Sequence, residues 1–464
     1  MLLLACGGGD ESTTSFGLET AGGTAADGTG DDDDDDDTGD DDDDDDVSDG
    51  AASTGDGPQD GTTEDTGSDD GPSFECDIVI GCHEGAPIAG AGVGAVVPIG
   101  CSGAQFSLAQ SIDVGAYADP EAPRSVPMLG DLDDDGALDL VVNFRKAGAG
   151  YVFAGSGAGS FTEPPAASLA GGLFAGGWGG ELGDIDGDGT LDVLFGDHTR
   201  GGRAWVSLGN MSFAEARNGL PDNVYFSGGG LVDLDGDANL DALLGADQFG
   251  SGATVYLGDG AGTWTPAASP SISGSNLGQF IPADYDGDGD LDVFAFGKSG
   301  PGVTAFVLRN DAGILSVVAE LSGGTGISSA DPVQGSVGDV DCDGDLDIAA
   351  GGTVYLANAG SWSPGTTVDE GKISHFADMN GDGHLDLVTH DPATGLALYL
   401  GDGTGAGFTL DAGSGLPAAD DLAHGATLDS AYGIDIGDVD GNGALDIVRV
   451  GGFAGPYYVD VLVR

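Results

Sequence analysis

The chain has 464 residues, with 80 Asp and Glu against 11 Lys and Arg, a formal charge of −69. That imbalance excludes a sequence-independent hold on nucleic acid or on an anionic membrane face, since both require a basic patch. With 90 Gly and 19 Pro beside a 40% hydrophobic share, the chain is too apolar to be disordered throughout and too loop-rich for an ordinary helical protein.

Met1-Leu-Leu-Leu-Ala-Cys6 at the N-terminus resembles the end of a bacterial lipoprotein signal, with Leu3-Leu4-Ala5-Cys6 as the lipobox and Cys6 as a possible lipid anchor. The basic n-region is missing, and the apolar run is shorter than the roughly 7–15 residues of a signal core. Either the start codon lies further upstream, or the match is chance and the chain is cytosolic. Residues 7–75 form an Asp/Gly/Thr-rich tether: residues 1–75 hold 26 acidic and no basic residues, 14 of the acids between Asp31 and Asp46. A segment so self-repelling and so poor in apolar side chains cannot offset the entropy of ordering. Residues 76–102 are a short Cys-containing lead-in. Cys76, Cys82, Cys101 and Cys342 favour disulfides in an exported chain, with three pairings open; zinc and free buried thiols are the alternatives. No stretch approaches the roughly 18 apolar residues of a membrane span.

From Asp131 onward one nine-residue phrase recurs seven times, its starts 53, 49, 51, 55, 39 and 60 residues apart. Positions 1, 3, 5 and 9 carry side-chain oxygens throughout. They are Asp131, Asp133, Asp135 and Asp139; Asp184, Asp186, Asp188 and Asp192; Asp233, Asp235, Asp237 and Asp241; and Asp284, Asp286, Asp288 and Asp292. The last three sets are Asp339, Asp341, Asp343 and Asp347; Asp378, Asn380, Asp382 and Asp386; and Asp438, Asp440, Asn442 and Asp446. Such ligands suit a hard cation, so the phrase predicts six or seven Ca²⁺ sites. Position 6 is Gly in six of seven, as a sharp turn with positive φ requires. Ala238 breaks that rule in the third repeat and predicts a weak or empty site there. Position 7 varies, as expected where only a backbone carbonyl binds; position 8 is always Leu and would anchor the loop in the core.

Each phrase runs into a short apolar segment bounded by Gly-rich turns, such as Leu140-Val-Val and Ile447-Val-Arg-Val, which reads as a buried strand. About 51 residues per repeat fits a four-stranded propeller blade. A second landmark, a large apolar residue after a Gly/Ser turn, follows at Phe161, Phe213, Trp264, Ile314, Trp362 and Phe408, and is read as blade core. The seventh would fall beyond Arg464, whereas Ser102-Gly-Ala-Gln-Phe106 precedes the first phrase. Circular closure is therefore expected, residues near 103–114 supplying the outer strand of a blade whose inner strands lie near 430–464.

The DxDxDGxLD phrase followed by an apolar strand resembles the FG-GAP/VCBS repeat proteins, which include the integrin alpha-subunit head. That resemblance covers residues 103–464 and implies an all-β, seven-bladed propeller. It also implies Ca²⁺ loops between the first and second strands of each blade and ligands on the opposite face. The FG and GAP signatures are poorly kept, which places the sequence nearer the bacterial VCBS-like branch.

The function expected is a calcium-binding, surface-displayed adhesion module without catalytic activity. It would be a monomer, lipid-anchored or secreted, recognising an extracellular protein or glycan. The connections between successive blades span 16 to 30 residues, the longest from Phe408 to Asp438. Arg200, Arg203 and Arg217 are the densest basic group, read as ion-paired rather than as a receptor for an acidic ligand. Two other classes stay open, a polysaccharide-acting enzyme on the same scaffold and a purely structural envelope protein. No GxSxG or HExxH constellation joins His83, His198, His375, His384, His390 and His424. His384, at a variable loop position, is expected to face solvent.

Overall fold

The computed structural model describes residues 105–114, 117, 126–143, 149–170, 179–197, 201–222, 224–246, 252–272, 276–299, 302–323, 333–368, 373–391, 395–417, 431–451 and 458–464. The lipobox, the tether, the lead-in, Arg200, His83, His198, His424 and much of the Phe408–Asp438 connection lie outside them.

Twenty-eight strands form seven antiparallel four-stranded sheets. β1 (Ser107–Asp113) comes first. Blade one holds β2 (Met128–Gly130), β3 (Asp139–Asn143), β4 (Ala149–Phe153) and β5 (Ala167–Ala170). Blade two holds β6 (Gly180–Gly183), β7 (Asp192–Asp197), β8 (Gly201–Ser207) and β9 (Phe213–Glu215). Blade three holds β10 (Phe226–Val232), β11 (Asp241–Ala246), β12 (Ala253–Gly258) and β13 (Trp264–Pro266). Blade four holds β14 (Asn276–Ala283), β15 (Asp292–Ser299), β16 (Gly302–Asp311) and β17 (Ile314–Gly323). Blade five holds β18 (Ser336–Gly338), β19 (Asp347–Ala350), β20 (Thr353–Asn358) and β21 (Ser361–Thr367). Blade six holds β22 (Ile373–Ala377), β23 (Asp386–Asp391), β24 (Gly395–Gly401) and β25 (Phe408–Leu410). Blade seven runs β26 (Ala431–Gly437), β27 (Asp446–Gly451), β28 (Tyr458–Val463) and then β1. The chain is an all-β seven-bladed propeller, and no helix among the described residues is long and apolar enough to cross a membrane.

Closure follows the expected course. β1 pairs antiparallel with β28, from Ser107 opposite Val463 to Asp113 opposite Tyr458, so the first strand fills the outer edge of the last blade. A buried ion pair crosses the same sheet: Arg449 on β27 donates from Nη2 and Nε to Asp460 on β28 at 2.8 and 3.2 Å, both side chains only 2% exposed. Ser111 on β1 donates to the other carboxylate oxygen at 2.6 Å.

The core is divided among seven interfaces, one between each pair of neighbouring blades. Phe153, Val142, Val448 and Val461 fill the one between blades seven and one, and Phe294, Phe296, Val307 and Ile348 the one between blades four and five. Second strands such as β7, β11 and β27 are buried along their whole length, because a blade presents both faces to its neighbours. Their continuous apolar runs have that cause, since a sheet with one wet face would alternate.

The outer landmarks are only partly core. Phe161 and Trp264 are buried, but Ile314 is 61% exposed and Leu315 beside it is buried instead. The reason is the turn. β16 and β17 are joined by two residues, Ala312 (φ 50°) and Gly313 (φ 87°), both in the left-handed region that a tight two-residue hairpin requires. Longer turns elsewhere place the first residue of the outer strand inward; here the second one takes that place, as Trp362 does after Ala359-Gly360.

Candidate metal loops

All seven phrases join the first and second strands of their blades, and the local structure explains nearly every position. The first Asp folds the loop over its own carboxylate. In loop one Asp131 accepts the N–H groups of Asp135 and Gly136 at 3.1 and 2.9 Å; in loop six Asp378 accepts those of Gly381, Asp382 and Gly383 at 2.7, 3.2 and 2.8 Å. Position 5 accepts the N–H of position 7, as between Asp188 and Thr190 at 2.9 Å. Position 9 ties the loop to the sheet. Asp139 accepts the N–H of Leu132 and of Gly155, both at 2.8 Å, and Asp347 those of Val340 and Ala357 at 2.9 and 2.7 Å. In blade seven the second donor is Arg464 at 2.8 Å to Asp446.

Two residues per loop sit at positive φ. Position 6 does so as expected, between 70° at Ala238 and 97° at Gly289. Position 4 does so as well, from Asp134 at 59° to Gly236 at 75°. Five glycines stand at position 4, and that was the available signal; Asp134 and Cys342 obscure it. The third loop is not distorted by Ala238: Asp233 accepts the N–H groups of Gly236, Asp237 and Ala238 at 2.8, 3.1 and 2.9 Å.

Anchoring is shared between two positions. Leu346, Leu385 and Leu445 at position 8 are buried, while Leu138, Leu191, Leu240 and Leu291 are half-buried against the core. Position 2 goes deeper: Leu132, Ile185, Leu234, Val340, Met379 and Val439 are all buried. Position 7, read as free, touches the outer turn of its blade. Asp290 and Asp345 accept the N–H groups of Ala312 and Ala359 at 2.9 and 2.8 Å, and these are the two blades with two-residue turns. His384 is half-buried rather than solvent-facing, packed where a side chain on Gly403 would collide with it.

The carboxylates converge. Oxygens of positions 1, 3 and 9 lie within 4.8 Å of one another in the sets Asp131/Asp133/Asp139, Asp233/Asp235/Asp241, Asp284/Asp286/Asp292 and Asp339/Asp341/Asp347. In loop two the set is Asp184, Asp186 and Asp188. Burial pushes the position-9 carboxyls up to about 6 in Asp139, Asp192 and Asp241 and about 7 in Asp292, Asp347, Asp386 and Asp446, against the pull of their two N–H donors. Burial and neighbouring carboxylates also raise Asp133, Asp186 and Asp341. One oxygen in each of these three is shut off from solvent without a hydrogen-bond partner. A cation held there would relieve both conditions, and a hard oxygen-loving one would fit an all-oxygen set. Loops six and seven differ by an amide: Asn380 donates to Asp382 at 3.0 Å and Asn442 to the carbonyl of Arg464 at 3.0 Å.

The FG-GAP-like repeat matches residues 131–195, 233–295 and 284–350. The chain carries FG-GAP-like repeats. The matched spans include loops one to five and stop before the two amide-containing loops. No curated protein matches the chain. Among solved structures it is similar to BBS1N in complex with ARL6DN, at 10% identity over 78% of this chain and 97% of that one, TM-score 0.46. It is also similar to Saccharomyces cerevisiae Sqt1, at 10% identity over 78% and 100%, TM-score 0.42. The exotype rhamnogalacturonan lyase YesX shares 15% identity over 75% of this chain and 56% of its own, TM-score 0.33.

Outside the FG-GAP-like loops, Arg203 pairs with Glu215 at 2.7 Å, and Arg217 bridges Glu215 and Asp222. These two arginines are therefore ion-paired within blade two. Cys342 is disulfide-bonded, and the other cysteines lie outside the described residues.

Proposed function

We propose that this chain is a calcium-stabilised binding propeller, displayed at the cell surface or secreted, that recognises an extracellular protein or glycan and has no chemistry of its own. The observation that carries the reading is the repeated loop. Seven times the phrase joins the first and second strands of a blade, in loops one to five three of its carboxylates come within 4.8 Å of one another, and in three loops a buried carboxylate oxygen is left without a partner. Ca²⁺ would be held by positions 1, 3, 5 and 9 of each loop. It supplies the charge that lets these oxygens approach, so its main effect is on the stability of the ring.

Seven Ca²⁺ would take residues 76–464 from −43, that is 11 basic against 54 acidic residues, to −29. The remaining negative field disfavours polyanionic partners and favours neutral or cationic ones. The face opposite the loops, where each outer strand leads to the next blade, is the surface assigned to the partner.

Calorimetry of the full chain with calcium and with chelator tests the metal reading. The expected result is six or seven bound Ca²⁺ and a large fall in Tm with EDTA; identical melting in both conditions would overturn it. A glycan and protein array probed in calcium, with a polysaccharide cleavage assay alongside, tests the binding reading. Turnover of a polysaccharide would replace it with the enzymatic one.

A further inference from the structure

β17 is the last strand of blade four, and among the described residues no strand pairs with its outer edge. The outer edges of most other blades are short or guarded. β5, β9, β13 and β25 have three or four residues, and β21 carries Pro364. β17 has ten residues, with no Lys, Arg or Pro and a single charge at Glu320. Ile314, Val317 and Val318 on it are 61%, 40% and 44% exposed. A long apolar edge without such guards is a template for another strand.

A bulge gives this edge a second feature. Leu308 of β16 is registered with Val317 and Val307 with Ala319, so Val318 is left over. The extra residue exchanges the faces of the strand: Leu315 packs toward blade three, whereas Ala319 and Leu321, an even number of residues further on, pack toward blade five. Bulges often serve to re-aim a side chain. Val318 lines a cleft of about 480 Å³ between blades four and five, whose other walls are Tyr285, Asp286, Asp345, Ala359 and Gly360. Tyr285 is itself an exception. The other six loops bury a non-aromatic residue at position 2, while Tyr285 is half-buried and stands T-shaped to Trp362 with ring centroids 5.3 Å apart.

Charge decides what the cleft can take. Loops four and five carry an Asp at position 7, Asp290 and Asp345, besides the Asp at their four ligand positions. One Ca²⁺ in each would still leave the pair at −6, ten negative charges against four positive. Arg309 on β16 is engaged by Asp311 at 2.7 Å and does not line the cleft. A second copy of the chain would bring the same acidic edge against its like, which opposes self-pairing. A basic side chain would gain two carboxylates and an aromatic neighbour together.

We propose that the edge of β17 receives an extended strand of a partner protein, which lengthens the blade by backbone pairing and places one Arg or Lys side chain in the cleft beside Asp286 and Asp345. Strand addition of this kind draws affinity from the main chain and specificity from a side-chain pocket next to the edge. The surface is separate from the face opposite the loops, and it stands with or without calcium.

The probe is a fluorescent ten-residue peptide of alternating Thr and Val with one central arginine, beside a counterpart with glutamine in its place. Anisotropy with the full chain at about 0.15 M salt, where long-range attraction to the tether is screened, gives the affinities, and photo-crosslinking with mass mapping gives the location. The wild type is expected to bind the arginine peptide about tenfold more tightly than the glutamine one and to crosslink within residues 314–323. Val318→Lys, which puts a cation on the edge, is expected to abolish binding. Asp345→Asn keeps an acceptor for Ala359 and is expected to lose the preference for arginine; melting shows which variant is folded, and one folded variant suffices. Equal affinity for the two peptides, binding undiminished in folded Val318→Lys, or crosslinks confined to residues 1–75 would overturn the proposal. So would self-association in sedimentation that Val318→Lys abolishes, which would give the edge to a second copy, or an oligosaccharide whose binding Tyr285→Leu abolishes, which would give the cleft to a glycan.

Discussion

Replacing Asp460 by Ala strikes the closing sheet at the ion pair described above. Arg449 and Asp460 are each 2% exposed, so water screens their interaction little, and the variant leaves a guanidinium buried without that carboxylate. Removing one partner of such a pair costs about 3–5 kcal/mol. For the roughly 360 residues of the ring, at about 2.1 cal/mol/K each, that is a fall in Tm of about 4–7 °C. Replacing both partners by apolar residues, Arg449→Met with Asp460→Leu, removes the stranded charge and is expected to recover most of the loss. Ser111→Ala, which deletes only the hydroxyl that β1 contributes, is expected to cost about 1 kcal/mol. Urea unfolding in calcium measures all three. A cost below about 1 kcal/mol for Asp460→Ala, or a double variant no better than the single one, would refute the reasoning.

Deleting residues 1–114 removes β1 and opens the edge of β28, so the ring should lose stability or associate through that edge; light scattering beside a chain lacking only residues 1–102 checks this. Ala238→Gly relieves an alanine held at φ 70° and is expected to stabilise by about 1 kcal/mol, measured by urea unfolding, with a destabilised variant counting against it. In chelator, the position-9 carboxyls hold protons more tightly when folded than when unfolded, since burial lifts them to about 6 to 7. Stability without metal should therefore be highest at acidic pH and fall as pH rises through 6 to 7, whereas calcium reverses that trend; a chelated Tm that climbs from pH 5 to 8 would contradict it.

Much of the architecture was legible in the sequence because one phrase repeats seven times and each copy carries its own turn, ligands and strand. The missing seventh landmark also pointed to closure, and β1 beside β28 bears that out. What escaped was set by contacts distant in sequence. Nothing in the phrase shows that Asp139 must bond Gly155 or that Asp345 must cap Ala359, since those partners come from the following hairpin. Ile314 was misplaced because inward and outward positions exchange when a turn shortens to two residues, so a count from the loop cannot tell it from Leu315.

The polarity of β1 has a mechanical consequence. Ser107 enters beside Val463, next to the seventh loop, and the strand runs away from the loop face to Asp113. A load applied between whatever precedes Gln105 and a partner held on the opposite face is directed along that strand. All six of its registered pairs with β28 then resist together, in shear. Pulled instead against Arg464, which lies beside the same entry point, the strand would peel one pair at a time. A ring joined by its first strand is thus strong toward a distant partner and weak toward its own C-terminus.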